Sequence, residues 1–199
     1  MNITSGPTTY DWLRFERNDM HVFPHMAVIE GGVWFPLHPF LRRVLCSLGI
    51  TTGQFTVNVF RITMSFARLR EQHHHLNLGL PEFFGIYHAA RWKGTQRVYL
   101  ACRPRYADLL IEELPAREEF PEDFFYMTGN YIYGSGERHD PHTRIPHTPG
   151  VLLTKNVDNI KRDANPAKIE RAINIPLADR AAPKLLGYTT SYTNFLKNK

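Results

Sequence analysis

Ten histidines in a chain of 199 residues are the first place to look for chemistry. His21 and His25, the run His73-His74-His75, and His139, His142 and His147 all stand at gaps that a metal ion could use. A zinc-protease helix would need His-Glu-x-x-His, which is absent. The triplet closes an apolar-striped stretch, where imidazolium complements the carbonyl end of a helix. The carboxylates come in pairs, Glu112-Glu113, Glu118-Glu119 and Glu122-Asp123. A two-metal nuclease or transposase needs such groups held at strand ends, whereas these fall in a loop-like stretch. No Gly-x-Ser-x-Gly elbow is present, and neither Cys46 nor Cys102 lies near a histidine in sequence. Gly134-Ser135-Gly136 reads as a turn rather than a phosphate loop. The expectation is a non-enzymatic chain with no catalytic residue, metal, cofactor or small-molecule substrate.

Positive charge offers a second chemistry. The formal charge is +5, unevenly spread. Residues 61–110 carry eight basic and three acidic side chains, residues 111–140 two and eight, and residues 141–199 ten and four. Basic segments can track phosphates, or they can pair with the acidic block inside the molecule. A nucleic-acid reading would use Arg61 and Arg68 on one helix face, with Lys155, Lys161, Arg162, Lys168 and Arg171 further on. Aromatics reach 13%, more than a few short helices need to face inward. Trp34, Phe35, Phe84, Tyr87 and Trp92 are therefore candidates for a protein-contact surface.

The elements that must position these groups follow from spacing. Residues 1–30 show no period and read as an irregular arm. Pro36 and Pro39 keep the next stretch extended, and Pro39 suits a first helical turn. Leu41, Val44, Leu45 and Leu48 form one stripe, with Arg42 and Arg43 toward solvent and Gly49 as the stop. Thr51-Thr52-Gly53-Gln54 is a capping box that should start a second helix. Its stripe is Phe55, Val59, Ile62, Phe66 and Leu69, ending near His73. A short helix is expected over Leu80–Ala90, a turn at Trp92-Lys93-Gly94-Thr95, and a strand over Gln96–Cys102. Residues 106–114 suit another short helix and Phe124–Met127 a second strand. Residues 134–150 carry Pro141, Pro146 and Pro149 and read as a linker. Beyond it lies a basic extension in which Pro166 opens a helix through Ile173, and Leu185, Leu186 and Tyr188 could dock.

Residues 31–131 resemble a known family. Phe35-Pro36-Leu37-His38-Pro39-Phe40 leads into a helix ending at Leu48-Gly49. Gln54, Asn58 and Arg61 follow, then Pro81-Glu82-Phe83-Phe84, then Lys93-Gly94 before an aromatic strand closing on Arg103-Pro104, and finally Phe124-Phe125-Tyr126. In order and spacing this resembles the gypsy-type transposon domain of plant retrotransposon-derived proteins. Thr95 and Gln96 depart from it, standing where that family has an aromatic. The resemblance implies origin in a mobile element and carries over no active site.

These observations make an α+β chain, mostly helical with a two- or three-stranded sheet. Its organisation is an arm (1–30), a core (31–133), a linker (134–150) and a basic extension (151–199). The expected function is contact with an unidentified protein or with itself. The alternative is weak DNA binding through a helix-turn-helix-like pair, Val44–Leu48 and the helix beyond Gly49, together with the basic tail. With no apolar stretch long enough to span a bilayer and no secretory leader, the expected location is intracellular, cytoplasmic or nuclear. Both thiols are expected to be buried and unbridged.

Overall fold

The computed structural model describes residues 2–5, 21–93, 95–106, 110–114, 123–128, 132–133, 145–146 and 150–187. Its first helices follow the apolar spacing. Helix α2 spans Pro39–Leu48, after a short α1 at His25–Ile29. Leu41, Val44, Leu45 and Leu48 are all buried. The helix starts where the His38 ring accepts the Phe40 N–H at 3.1 Å, satisfying one of the donors a helix start leaves open. It ends at Gly49 in the left-handed region, φ 68°, which costs glycine little. Arg43 faces solvent as its position predicts. Arg42 does not: it is buried, with its guanidinium over the Tyr133 ring at 4.8 Å.

The capping box forms, but the turn it makes is not the start of a long helix. Gln54 Oε1 accepts the Thr51 N–H at 3.2 Å, and Thr52–Gln54 is a 3-10 turn. The same amide also accepts from the Gly150 N–H at 2.9 Å. Its Nε2 donates to the carbonyls of Gln96 and Gly150. Phe55 and Thr56 are then extended, because the Thr56 N–H is taken by the Val98 carbonyl at 3.0 Å. Helix α3 therefore begins at Val57 and runs to Gln72. The Phe55, Val59, Ile62, Phe66, Leu69 stripe is buried, and so are Val57, Phe60, Met64 and Ala67 on the other side. The helix is wrapped by α1, by α2, by strand β4 (Val98–Cys102) and by α8 (Ala182–Leu186).

Helix α4 covers Leu80–Ile86, its start fixed by Glu82 Oε2 accepting the Gly79 N–H at 2.8 Å. The expected continuation to Ala90 is instead strand β3, Tyr87–Arg91. It pairs antiparallel with β4, Tyr87 opposite Cys102 and Arg91 opposite Val98. The turn between them lies at the residues whose composition signals one. A second, three-stranded sheet has β5 (Phe124–Thr128) between β1 (Asn2–Ser5) and β2 (His21–Pro24), all antiparallel. The stretch read as an irregular arm thus supplies two strands and α1. Four-residue strands are too short for alternation to show, and their partner lies about a hundred residues away. Residues 106–114 are not a helix where they are described. A 3-10 turn closes at Tyr106, and Glu112 makes an isolated bridge to Ala181.

The C-terminal half brings α5 (Thr154–Lys161), α6 (Pro166–Ile173) and α7 (Leu177–Arg180) before α8. Pro166 opens α6 as expected, with the Asn165 side chain accepting the Ala167 N–H at 3.0 Å. Val157, Ile169, Ala172, Ile175, Ala182 and Leu185 join the same hydrophobic core as α2 and α3. Leu186 is partly buried, and Tyr188 lies outside the described residues. Cys46 and Cys102 are half-buried rather than buried, with Cys102 Sγ donating to the Tyr106 carbonyl at 2.6 Å. The architecture is α+β and mainly helical.

At the centre of the core, the Phe66 ring lies 5.2 Å from Phe40 and 5.1 Å from Phe83 between centroids. Both distances suit favourable aromatic pairs. Phe66→Ala should therefore cost about 3–5 kcal/mol in denaturant unfolding. An unchanged midpoint would mean that the ring does not fill this space.

Candidate functional site

The five aromatic candidates separate by burial. Phe84 and Tyr87 are 0% exposed and belong to the core, which corrects their reading as contact residues. Phe84 lies on α4, and α5 and α6 cover that helix. The Tyr87 hydroxyl accepts the Ile111 N–H at 3.3 Å. Burial pushes its ionisation far above the usual phenol value. Phe35 is half-buried, 5.4 Å edge-on to Phe23. Trp34 and Trp92 remain outside, 38% and 45% exposed. Trp92 sits beside the β3–β4 turn, edge-on to Tyr99 at 5.9 Å.

The basic candidates are more dispersed. Arg61 is buried, ion-paired with buried Glu30, and donates to Asn58 Oδ1 at 2.8 Å. It cannot meet a phosphate. Every residue of α3 from Val57 to Ala67 is buried, so the second helix of the helix-turn-helix-like pair has no face to lay in a groove. Lys161 Nζ lies 2.7 Å from Asp158. Lys168 Nζ donates to the Asn77 carbonyl at 3.0 Å, and Arg171 Nε to that of Ala167 at 3.3 Å. Lys155, Arg162 and Arg171 are exposed. Of the acidic block, Glu112 stands 3.8 Å from buried Arg180, while Glu118, Glu119 and Glu122 lie outside the described residues.

Among the described residues no three His, Cys, Asp or Glu side chains converge as metal ligands. His73, His74 and His75 follow the end of α3 with ring centroids about 6 Å apart. His139, His142 and His147 lie outside the described residues. His21 is buried and His25 exposed, the latter with its ring 5.5 Å from Phe125.

Arg68 and Trp34 are brought together, and two residues not singled out from sequence hold them. The Arg68 guanidinium lies over the Trp34 ring at 4.3 Å, a cation–π geometry, and Nη1 donates to Glu71 Oε2 at 3.1 Å. His38 Nε2 lies 2.7 Å from Glu71 Oε1, with the ring 5.8 Å edge-on to Trp34. Because His38 Nδ1 already accepts the Phe40 N–H, the proton is on Nε2 and points at the carboxylate. Both ring nitrogens of His38 are thus engaged within the group. Burial pushes Glu71 upward, yet hydrogen bonds from His38 and Arg68, with the Arg68 charge, outweigh it and hold the carboxyl below its usual value. His38 and Glu71 are 33 positions apart, a pairing no local pattern reveals.

No protein-family model matches this chain, and no curated protein or solved structure matches it either.

Two predictions follow from these ion pairs. Arg61→Ala strands a buried carboxylate and should cost about 3–5 kcal/mol. The double replacement Arg61→Met with Glu30→Leu should cost clearly less, and urea unfolding of both variants checks the order. Glu71, with its folded value depressed, contributes stability above the unfolded value of about 4.3 and loses it as pH falls through the folded value. Glu71→Gln should therefore melt lower than wild type near neutral pH. The gap should close in acid; a constant gap would show that no proton linkage operates.

Proposed function

We propose that this chain is a non-enzymatic module that works by protein contact, self-association foremost, with Trp34 as its anchor. The observation that carries this reading is the state of that one ring. It is more than a third exposed, yet Arg68 stacks on it and His38 meets it edge-on. An exposed aromatic fixed in this way has already lost much of the rotamer entropy that binding would otherwise remove. Tryptophan and arginine are also the residue types that dominate interface energetics. Trp92 offers a second exposed ring. The resemblance of residues 31–131 to the gypsy-type domain adds descent from a retroelement protein to the same proposal.

Of the basic candidates, Lys155, Arg162 and Arg171 are the ones exposed among the described residues, and a nucleic-acid reading would rest on them. It predicts weak, strongly salt-dependent binding without sequence preference.

Light scattering at rising protein concentration tests the first reading against the second. Wild type should gain mass above the monomer, and Trp34→Ala should remain monomeric with its circular dichroism unchanged. A monomer at all concentrations, combined with salt-sensitive DNA binding lost in a Lys155→Gln, Arg162→Gln double variant, would reverse the order of the two.

A further inference from the structure

A cavity of about 580 Å³ opens between the β3–β4 hairpin and α5, on different elements from the Trp34 group. That volume falls within the range of small-molecule sites, about 300–1,000 Å³. Its walls combine the two things such sites need. Leu152 and Val157 give an apolar side, and Arg103, Arg105 and His88 give a polar one.

Arg103 is the best placed of these. Its backbone N–H donates to the Ile86 carbonyl at 2.8 Å, and Nε to that of Phe84 at 3.1 Å. The fold thus fixes the base of the guanidinium fork, and its two terminal nitrogens have no hydrogen-bond partner among the described residues. Arg105 stands at the rim with its guanidinium near the Tyr106 ring, 5.8 Å from the centroid. The acidic lining residue, Asp158, is already engaged. Its Oδ1 takes Lys161 Nζ at 2.7 Å, and that hydrogen bond first of all holds the carboxyl below its usual value. Helix α5 begins at Thr154 in the same wall without a side-chain cap, so its positive end adds to the field. Burial, then Arg103, lower the proton affinity of His88, which favours a neutral hydrogen-bonding ring. Asp158 also feels the charge of Arg103. Two guanidiniums nevertheless face one carboxylate that is already held by Lys161, so the cavity keeps a positive balance beside an apolar floor.

We propose that this cavity binds a small organic acid, with its carboxylate on the Arg103 fork and its apolar body against Leu152 and Val157. A guanidinium offers a carboxylate two parallel N–H donors. The largely apolar remainder of the wall suits a single negative charge better than the several donors a dianion would need.

The test is an NMR titration of the full chain with phenylacetate, phenylacetamide and phenyl phosphate. Phenylacetate should shift the backbone amides of Ala89 and Thr154 saturably, and the isosteric amide should bind about tenfold more weakly or worse. Arg103→Gln should lose binding. Arg105→Gln, which alters only an exposed side chain, should weaken it if the first variant proves unstable. Absence of saturable shifts at those amides, equal binding of the amide, or response to the phosphate alone would each overturn the assignment.

Discussion

Arg61 lies on a stretch of α3 that is buried throughout. A guanidinium cannot shed its proton to escape that environment, and an unpaired charge there would cost many kcal/mol. A carboxylate must therefore come with it, and Glu30 is that group. The pair contributes little net stability compared with two well-packed apolar residues. Its effect is to dictate position. Glu30 directly follows α1, so burying it pins α1 against α3. At Gly31 a Cβ would stand 2.7 Å from Phe60 Cβ and 2.4 Å from the Ala27 carbonyl oxygen. Only glycine permits that closeness. Strand β2 leads straight into α1, and through β2 the three-stranded sheet is attached to the helical core.

The same constraint arranges the candidate site. Three cross-links join the segment after α1 to α3 in matching order: Glu30 to Arg61, Trp34 to Arg68, and His38 to Glu71. Four extended residues reach at most about 13–14 Å, and seven helical residues rise about 10.5 Å, so the spacings are compatible. The segment lies along the helix in the same direction, from the buried pair outward to a half-exposed one. Trp34 is thus held at the surface by an alignment that begins in the interior. Charge near the start of the segment is spent on folding, and charge near its end on orienting a ring.

What the sequence made legible was local. The stripes of α2 and α3, the glycine stop, the hairpin turn, β5 and the proline-opened α6 all rest on neighbours within a few positions. What was missed rests on distant ones. The start of α3 moved because the Thr56 N–H is taken by Val98, and Gln54 bonds to Gly150 and Gln96 as well as to its own turn. Helix α4 stops at Ile86 because Tyr87 pairs with Cys102. Trp34, Phe84 and Tyr87 are equally aromatic, and only the cover laid by later helices decides which stays outside. Arg61 and Arg68 share one face by spacing, yet one is sealed by Glu30 and the other stops on Trp34.

Charge counting misleads for a related reason. Residues 141–199 hold ten basic side chains, which by composition suggests a positive surface. Arg180 is nevertheless buried, donating to the carbonyls of Ile175 and Leu110 at 2.9 and 3.0 Å. There it joins the end of α7 to the strand-like segment whose Glu112 backbone also bonds Arg180 and Ala182. Lys161 and Lys184 are paired with Asp158 and Asp179, and Lys168 anchors α6 to Asn77. Much of the formal charge therefore acts as internal fastening for the helices that cover α4. An exposed ion pair contributes little stability, but it does cancel most of the field that a distant phosphate would feel. Lys155 and Arg162 stay exposed on α5 and at its end, while Arg103 and Arg105 stand where the fold is concave. The proposed organic acid would meet the concave pair, whereas a polyanion lying across the surface would depend on the scattered cations of α5 and α6.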